Sequence, residues 1–172
     1  MTRTSILVAG IGNIFLGDDA FGCEVVKRLS ARTWPDNVRV VDFGIRGFDL
    51  AYALLDGYDV TILVDATPRG QDAGTVYTIE PAVDEIENLD GQGVMVETHG
   101  MNPMKVLRMV KSMGGQFKKI LLVGCEPLTF GPEEGQMGLS GPVVAAVDQA
   151  VRVVESLVNK FCDESMAQAV YE

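Results

Sequence analysis

Three short runs of almost uninterrupted apolar residues limit the folds open to this chain. They are ILVA at 6–9, TILVDA at 61–66 and KILLVG at 119–124. Strands that are apolar on both faces are typical of the centre of a parallel sheet covered by helices on both sides. Together with two less apolar segments they predict five strands, at Ser5–Ala9, Val38–Phe43, Asp59–Ala66, Thr75–Glu80 and Lys119–Cys125.

Amphipathic segments at helical spacing lie between most of these strands. Apolar residues recur with that spacing from Phe21 to Leu29, and further helices are predicted over Phe48–Leu55, over Pro103–Met113 and from an N-cap at Ser140. Alternating strands and helices predict a three-layer α/β/α sandwich with a mostly parallel five-stranded sheet. The fourth strand is the exception. Its connection to the third, TPRGQDAG, is too short for a parallel crossover, so we expect this strand to be antiparallel and at an edge.

The length of 172 residues predicts one domain, which we assign to residues 1–161, with 162–172 as a flexible tail. The chain has 14 Lys and Arg against 24 Asp and Glu, a net charge of −10. That balance argues against binding to a nucleic-acid backbone and against a polybasic membrane anchor. Three widely spaced cysteines and the lack of a long apolar stretch favour reduced thiols, no membrane span and a cytoplasmic location.

Chemically active side chains follow several of the predicted strands. Asp19 comes soon after the first, Asp42 ends the second, Asp65 ends the third, and His99, the only histidine, follows the fourth. Ligands of such folds bind outside the carboxyl ends of the parallel strands, so these residues are site candidates by position. The GIG turn at 10–12 is not a dinucleotide fingerprint, because Phe15 stands where its third glycine belongs.

Asp19, Asp65 and His99 together offer two carboxylates and an imidazole, a ligand set suited to a divalent ion such as Ni²⁺ or Zn²⁺. Structural alternatives remain open for each residue. Asp19 would favour the start of a helix through the helix dipole, Asp65 would pair with an arginine such as Arg46 or Arg69, and His99 would be an ordinary surface histidine.

Six blocks in the chain resemble, in order, those of the hydrogenase maturation proteases. They are GIGNIFLGDDAFG at 10–22, DFGIRG at 42–47, ILVDA at 62–66, THG at 98–100, GCEP at 124–127 and GLS at 138–140. The resemblance implies a peptidase that removes the C-terminal extension of a [NiFe]-hydrogenase large-subunit precursor once nickel has been inserted. Two other functions stay open at this point. One is a non-catalytic nickel-binding assembly factor, and the other is a protease of related fold that acts on small spore proteins.

The same resemblance implies roles for individual residues. Asp19, Asp65 and His99 match the metal-binding positions of the family, and Asp42 matches an acid associated with cleavage. All four are therefore candidate catalytic residues. Ni²⁺ is implied to arrive with the substrate, and other divalent ions are expected to occupy the site in vitro. Asp19 stands where some relatives have glutamate, which shortens the side chain but keeps its charge.

Overall fold

A computed structural model describes residues 3–82 and 101–170. Within these ranges the strands form one five-stranded sheet in the order β2-β1-β3-β5-β4. The strands are β1 (Ile6–Ile11), β2 (Val38–Gly44), β3 (Val60–Ala66), β4 (Val76–Ile79) and β5 (Lys119–Cys125). The helices are α1 (Phe21–Ser30), α2 (Gly47–Leu55), α3 (Pro103–Ser112) and α4 (Gly141–Val170).

The three most apolar strands lie at the centre of the sheet, as their sequences predict. Strands β1 and β3 are buried along their whole length, and β3 lies between β1 and β5. The pairs β1–β2, β1–β3 and β3–β5 are parallel, whereas β4 is antiparallel to β5 and forms an edge. The carboxyl ends of the four parallel strands therefore meet at one rim of the sheet.

Two apolar cores cover the two faces of this sheet. Helices α1 and α4 pack on one face, where Phe21, Val147 and Val154 are fully or almost fully buried. Helices α2 and α3 pack on the other, around Leu50 and Leu107. This arrangement confirms the predicted three-layer sandwich with its mostly parallel sheet.

Local boundaries differ from the prediction at three places. Strand β1 continues past Ala9 to Ile11, because its pairing with β2 resumes after an irregularity between Gly10 and Ile11. Asp18 and Asp19 do not open α1; they lie in a separate 3-10 turn, Gly17–Ala20, before it. Residues predicted as a flexible tail from 162 onward are helical as far as Val170.

The extension of α4 contacts residues far away in the sequence. The backbone N–H of Thr4 donates to the hydroxyl of Ser165 (3.2 Å), and Asn37 contacts the thiol of Cys162 (3.9 Å). Phe161 is buried in the core just before this extension. None of the helices in residues 3–82 and 101–170 has the length and apolar character needed to cross a bilayer.

Candidate functional site

A cleft of about 870 Å³ opens at the rim where the parallel strands end. Asp19 and Asp65, which are 46 positions apart in the sequence, both line it. Its other walls include Asn13 after β1, the Met101–Met104 segment at the start of α3, and the 130–133 segment after β5. The structure thus brings two of the four predicted site residues into one cleft.

Asp65 is the penultimate residue of β3 and is only 7% exposed. It pairs in register with Gly124 of β5, so its backbone is fixed by the most buried part of the sheet. Burying a carboxylate costs free energy unless it has polar or cationic partners. Asp65 therefore presents a largely buried carboxylate to the cleft from a fixed strand end.

Asp19 reaches the same cleft from the turn before α1. Its carboxylate Oδ2 accepts a hydrogen bond from the backbone N–H of Asn13 (2.8 Å), and the residue is half-buried. Gly12 makes this turn possible. It has a φ of +147°, and a Cβ at this position would lie 1.8 Å from the carbonyl oxygen of Asp19. Gly12 of the first sequence block thus allows the two backbone segments to pack closely.

Asp18 does not line the cleft. Its side chain makes a hydrogen-bond network that the sequence did not predict. Its fully buried carboxylate accepts hydrogen bonds from the backbone N–H groups of Leu128 (2.8 Å), Thr129 (3.1 Å) and Ser140 (2.7 Å), and from the Ser140 hydroxyl (2.8 Å). Burial by itself raises the pKa of Asp18, but these hydrogen bonds outweigh burial and hold the pKa below its ordinary value. In the sequence, only the adjacent acids Asp18 and Asp19 and the later Ser140 pointed to this hydrogen-bond network.

Glu126 also proves to be a structural acid. It is 6% exposed, and its carboxylate accepts hydrogen bonds from the backbone N–H groups of Arg69 (2.7 Å) and Gly70 (3.2 Å). It therefore holds the loop that follows β3 against the end of β5. Arg69 itself places its guanidinium 5.3 Å from the ring centre of Tyr77.

Asp42 lies at the end of β2 and lines a second cavity of about 460 Å³. Its Oδ1 accepts a hydrogen bond from the backbone N–H of Gly44 (3.0 Å), and the residue is exposed. Arg46, considered above as a partner for Asp65, donates to the carbonyl of Asp42 (2.6 Å) and pairs with Asp49 (3.2 Å). The structure thus places Asp42 in a cavity beside the cleft of Asp19 and Asp65.

The buried thiol of Cys23 is influenced by acidic residues of both cavities. It lines the second cavity with Asp42, and its Sγ lies 3.5 Å from the carbonyl oxygen of Gly12. Burial raises the pKa of the Cys23 thiol well above its ordinary range. The hydrogen bond and charge of Asp42 raise it further, and so do the charges of Asp19 and Asp65. Asp19, Asp42 and Asp65 therefore all lie near enough to Cys23 for their charges to disfavour its thiolate.

His99 lies outside the described residues, so the third predicted ligand has no position here. Met101, two positions later in the chain, lines the cleft. Among residues 3–82 and 101–170, no group of three or more potential ligand side chains is arranged to hold a metal ion. Of the three predicted metal ligands, the structure describes Asp19 and Asp65. Their carboxylate oxygens are donors that fit a divalent cation.

Comparisons with known proteins agree with this architecture. The family model of the hydrogenase maturation proteases (HycI) matches residues 23–157. The hydrogenase expression/formation protein HupD of Rhizobium leguminosarum bv. viciae is 33% identical over 154 residues, which cover 88% of this chain and 74% of HupD.

Two solved structures share the fold. The hydrogenase maturating endopeptidase HybD from E. coli superimposes with a TM-score of 0.73 at 28% identity, covering 91% of this chain and 93% of HybD. The hydrogenase 2 maturation peptidase from a Thaumarchaeota archaeon gives a TM-score of 0.68 at 30% identity, covering 90% of this chain and 98% of that peptidase. Because the family model matches more than half of the chain and HupD is 33% identical over most of both chains, this chain belongs to the hydrogenase maturation protease family.

Proposed function

We propose that this protease removes the C-terminal extension of a [NiFe]-hydrogenase large-subunit precursor after nickel insertion, and that it recognises the nickel carried by the precursor. The observation that carries the proposal is the meeting of Asp19 and Asp65 in one cleft. Its volume of about 870 Å³ lies within the range of sites that enclose a ligand or a peptide segment. Its apolar wall residues, among them Met104, Leu122 and Phe130, suit the body of a peptide chain.

The donor set explains how an ion in the substrate would be recognised. Asp19 and Asp65 supply carboxylate oxygens, and His99 is proposed to supply an imidazole nitrogen, on the basis of the sequence block to which it belongs. Oxygen and imidazole donors suit a borderline ion such as Ni²⁺. Residues that complete the coordination of a partly ligated ion also fix the peptide bond beside it, which turns recognition into orientation. A bound divalent ion supplies Lewis acidity toward a nearby carbonyl or water.

The cleft and its surroundings offer two candidates for the proton-transfer group. Asp42 lies beside the cleft, is exposed to solvent and has one carboxylate oxygen committed to Gly44. A ligand carboxylate, Asp19 or Asp65, is the other candidate. Either acts as a general base by accepting a proton from the attacking water.

The direct test compares the same precursor with and without nickel. Purified protease is incubated with both forms, and cleavage is followed by the mass of the released C-terminal peptide. We expect only the nickel-loaded form to be cut. Equal cleavage of both forms would remove nickel recognition from the proposal. Retention of nickel by the protease without any cleavage would favour an assembly factor, and cleavage of small spore proteins in its place would favour the related protease.

A further inference from the structure

We infer that Asp18 is a positioning residue that sets the distance between the two walls of the substrate cleft. The inference rests on the proposed function, because it assigns the cleft to the precursor peptide. One wall carries Asp19, the next residue in the chain, and the other is formed by residues 130–133. The carboxylate of Asp18 does not line the cleft, but it accepts hydrogen bonds from the segments on either side of residues 130–133.

The hydrogen bonds of Asp18 join three distant parts of the sequence. Leu128 and Thr129 precede the 130–133 wall, and Ser140 follows it at the start of α4. Three of the four bonds use backbone N–H groups, so they fix the course of the chain and do not depend on the identity of those side chains. Hydrogen bonds to a charged acceptor are stronger than those between neutral groups.

Backbone contacts reinforce the same connection. Asp18 N–H donates to the carbonyl of Thr129 (3.0 Å), Gly17 N–H to that of Gln136 (2.9 Å), and Gln136 N–H to that of Phe15 (2.8 Å). The turn that carries Asp19 and the loop that carries residues 130–133 are thereby held together at several points. A side-chain substitution cannot remove these backbone bonds, but a substitution of Asp18 removes the bonds to its carboxylate.

Ser140 uses its hydroxyl for this network. The carbonyl of Ser140 accepts the N–H of Val144 (2.8 Å), which places it at the N-cap of α4, but its hydroxyl donates to Asp18. A serine at this position ordinarily accepts a bond from the N–H groups of its own helix. The geometry therefore anchors the start of α4 to the turn beside Asp19.

The test uses Asp18→Asn, Ser140→Ala and, as a matched control, Asp72→Asn, which alters an exposed acid of the loop after β3. Asparagine keeps the shape of Asp18 but loses the charge and turns one acceptor into a donor facing N–H or hydroxyl groups. Asp18→Asn should raise KM for the nickel-loaded precursor by about tenfold or more and change kcat by less than about threefold. Ser140→Ala, which leaves the three backbone donors in place, should raise KM by a smaller factor, and Asp72→Asn should leave both constants unchanged.

A loss of folded protein alone would reduce the active fraction without changing KM. A fall in kcat with unchanged KM would overturn the inference. Should Asp18→Asn fail to fold, the smaller rise in KM with Ser140→Ala decides the question, and unchanged KM there overturns it.

Hydrogen exchange separates this inference from the proposed function. In Asp18→Asn, the amides of Leu128, Thr129 and Ser140 should exchange faster, while those of β1 and β3 stay protected. This measurement needs no substrate, so it holds even if the wild-type protein does not cut the precursor. Unchanged exchange at the three amides would show that Asp18 does not hold the wall.

Discussion

Gly22 of α1 packs directly against the carbonyl oxygen of Val64, the residue before Asp65. A Cβ at Gly22 would lie 2.1 Å from that oxygen and 2.4 Å from the carbonyl oxygen of Ile11. Both neighbours are backbone atoms of central strands, which cannot move aside as a flexible side chain can. The close approach of α1 to β1 and β3 is what brings the turn with Asp19 to the end of β3.

Replacing Gly22 with alanine should therefore destabilise the protein. We expect Gly22→Ala to lower the free energy of unfolding by at least about 1–3 kcal/mol, the usual cost of overpacking a core. Gly141→Ala is the matched control, since a Cβ at Gly141 meets nothing within 4 Å. Urea unfolding of the two variants measures the difference. Equal stability of both would mean that the helix shifts away from the strands at little cost.

Asp65→Asn and His99→Ala should abolish processing without unfolding the protein. Each removes one proposed ligand of the nickel in the substrate, so we expect cleavage to slow by at least about a hundredfold, as poor positioning of a substrate does. Asp163→Asn, an exposed acid on α4, serves as the control. Circular dichroism confirms the fold, and the released peptide is quantified. Near-normal processing by either variant would remove that residue from the site.

Asp42→Asn distinguishes a proton-transfer role from a binding role. If Asp42 is the general base, the single-turnover rate should fall by about a hundredfold or more, while KM stays within about threefold. Asp49→Asn on α2, which replaces another exposed acid close by in the sequence, should leave the rate unchanged. An increase in KM at an unchanged single-turnover rate would make Asp42 a residue of the binding surface.

The stability of the fold should decrease in acid through Asp59. The Nζ of Lys118 lies 2.6 Å from Asp59 Oδ1, and the N–H of Ser5 lies 2.8 Å from Oδ2. These contacts, the Lys118 hydrogen bond first, lower the pKa of Asp59 below its ordinary value. A group with a depressed pKa in the folded state stabilises the protein above its unfolded pKa and loses that contribution as the pH falls through the folded pKa.

Asp59→Asn should accordingly reduce the free energy of unfolding at neutral pH, and the difference from wild type should shrink below about pH 4. The effect is moderated by solvent, because about a third of the Asp59 side chain is exposed. Lys118→Met removes the other partner of this ion pair. It should likewise weaken the pH dependence of the unfolding free energy below about pH 4. If the difference in unfolding free energy between wild type and Asp59→Asn did not vary with pH, the lowered pKa of Asp59 would be contradicted.

All three cysteines are free, and they should react in a fixed order. Burial raises the pKa of Cys125 to about 11 and that of Cys23 further still, whereas Cys162 is only half-buried. Because the thiolate is the reactive form, an alkylating reagent at mild alkaline pH should modify Cys162 first. Peptide mass analysis reports the order. Rapid modification of Cys23 in the native protein would show that the rim opens more than the structure indicates.

The strands of the sheet could be predicted because the sequence patterns that identify them are local. Continuous apolar runs identified β1, β3 and β5 as central strands, and the short connection after Ala66 identified β4 as antiparallel. The end of β1 was predicted too early because glycine is a weak strand former, although Gly10 pairs with Asp42 across the sheet. The helical tail was missed because its few tertiary partners, such as Thr4, are distant in the sequence.

The site was predictable only in part, because its contacts join residues far apart along the chain. Strand ends identified Asp19 and Asp65, and the structure places both in one cleft. The separate cavity of Asp42 and the structural role of Glu126 depend on loop geometry that no spacing rule encodes. Asp18 and Asp19 are neighbours with the same side chain, and only their three-dimensional surroundings separate a buried anchor from a cleft residue.

The bond between Asp18 and Ser140 spans 122 positions of the sequence. During synthesis, the turn that carries Asp19 emerges long before its partners at Leu128, Thr129 and Ser140 exist. A carboxylate that is destined for burial must until then remain hydrated or pair with temporary donors. The hydrogen bonds between Asp18 and Ser140 can therefore form only after residue 140 has been synthesised.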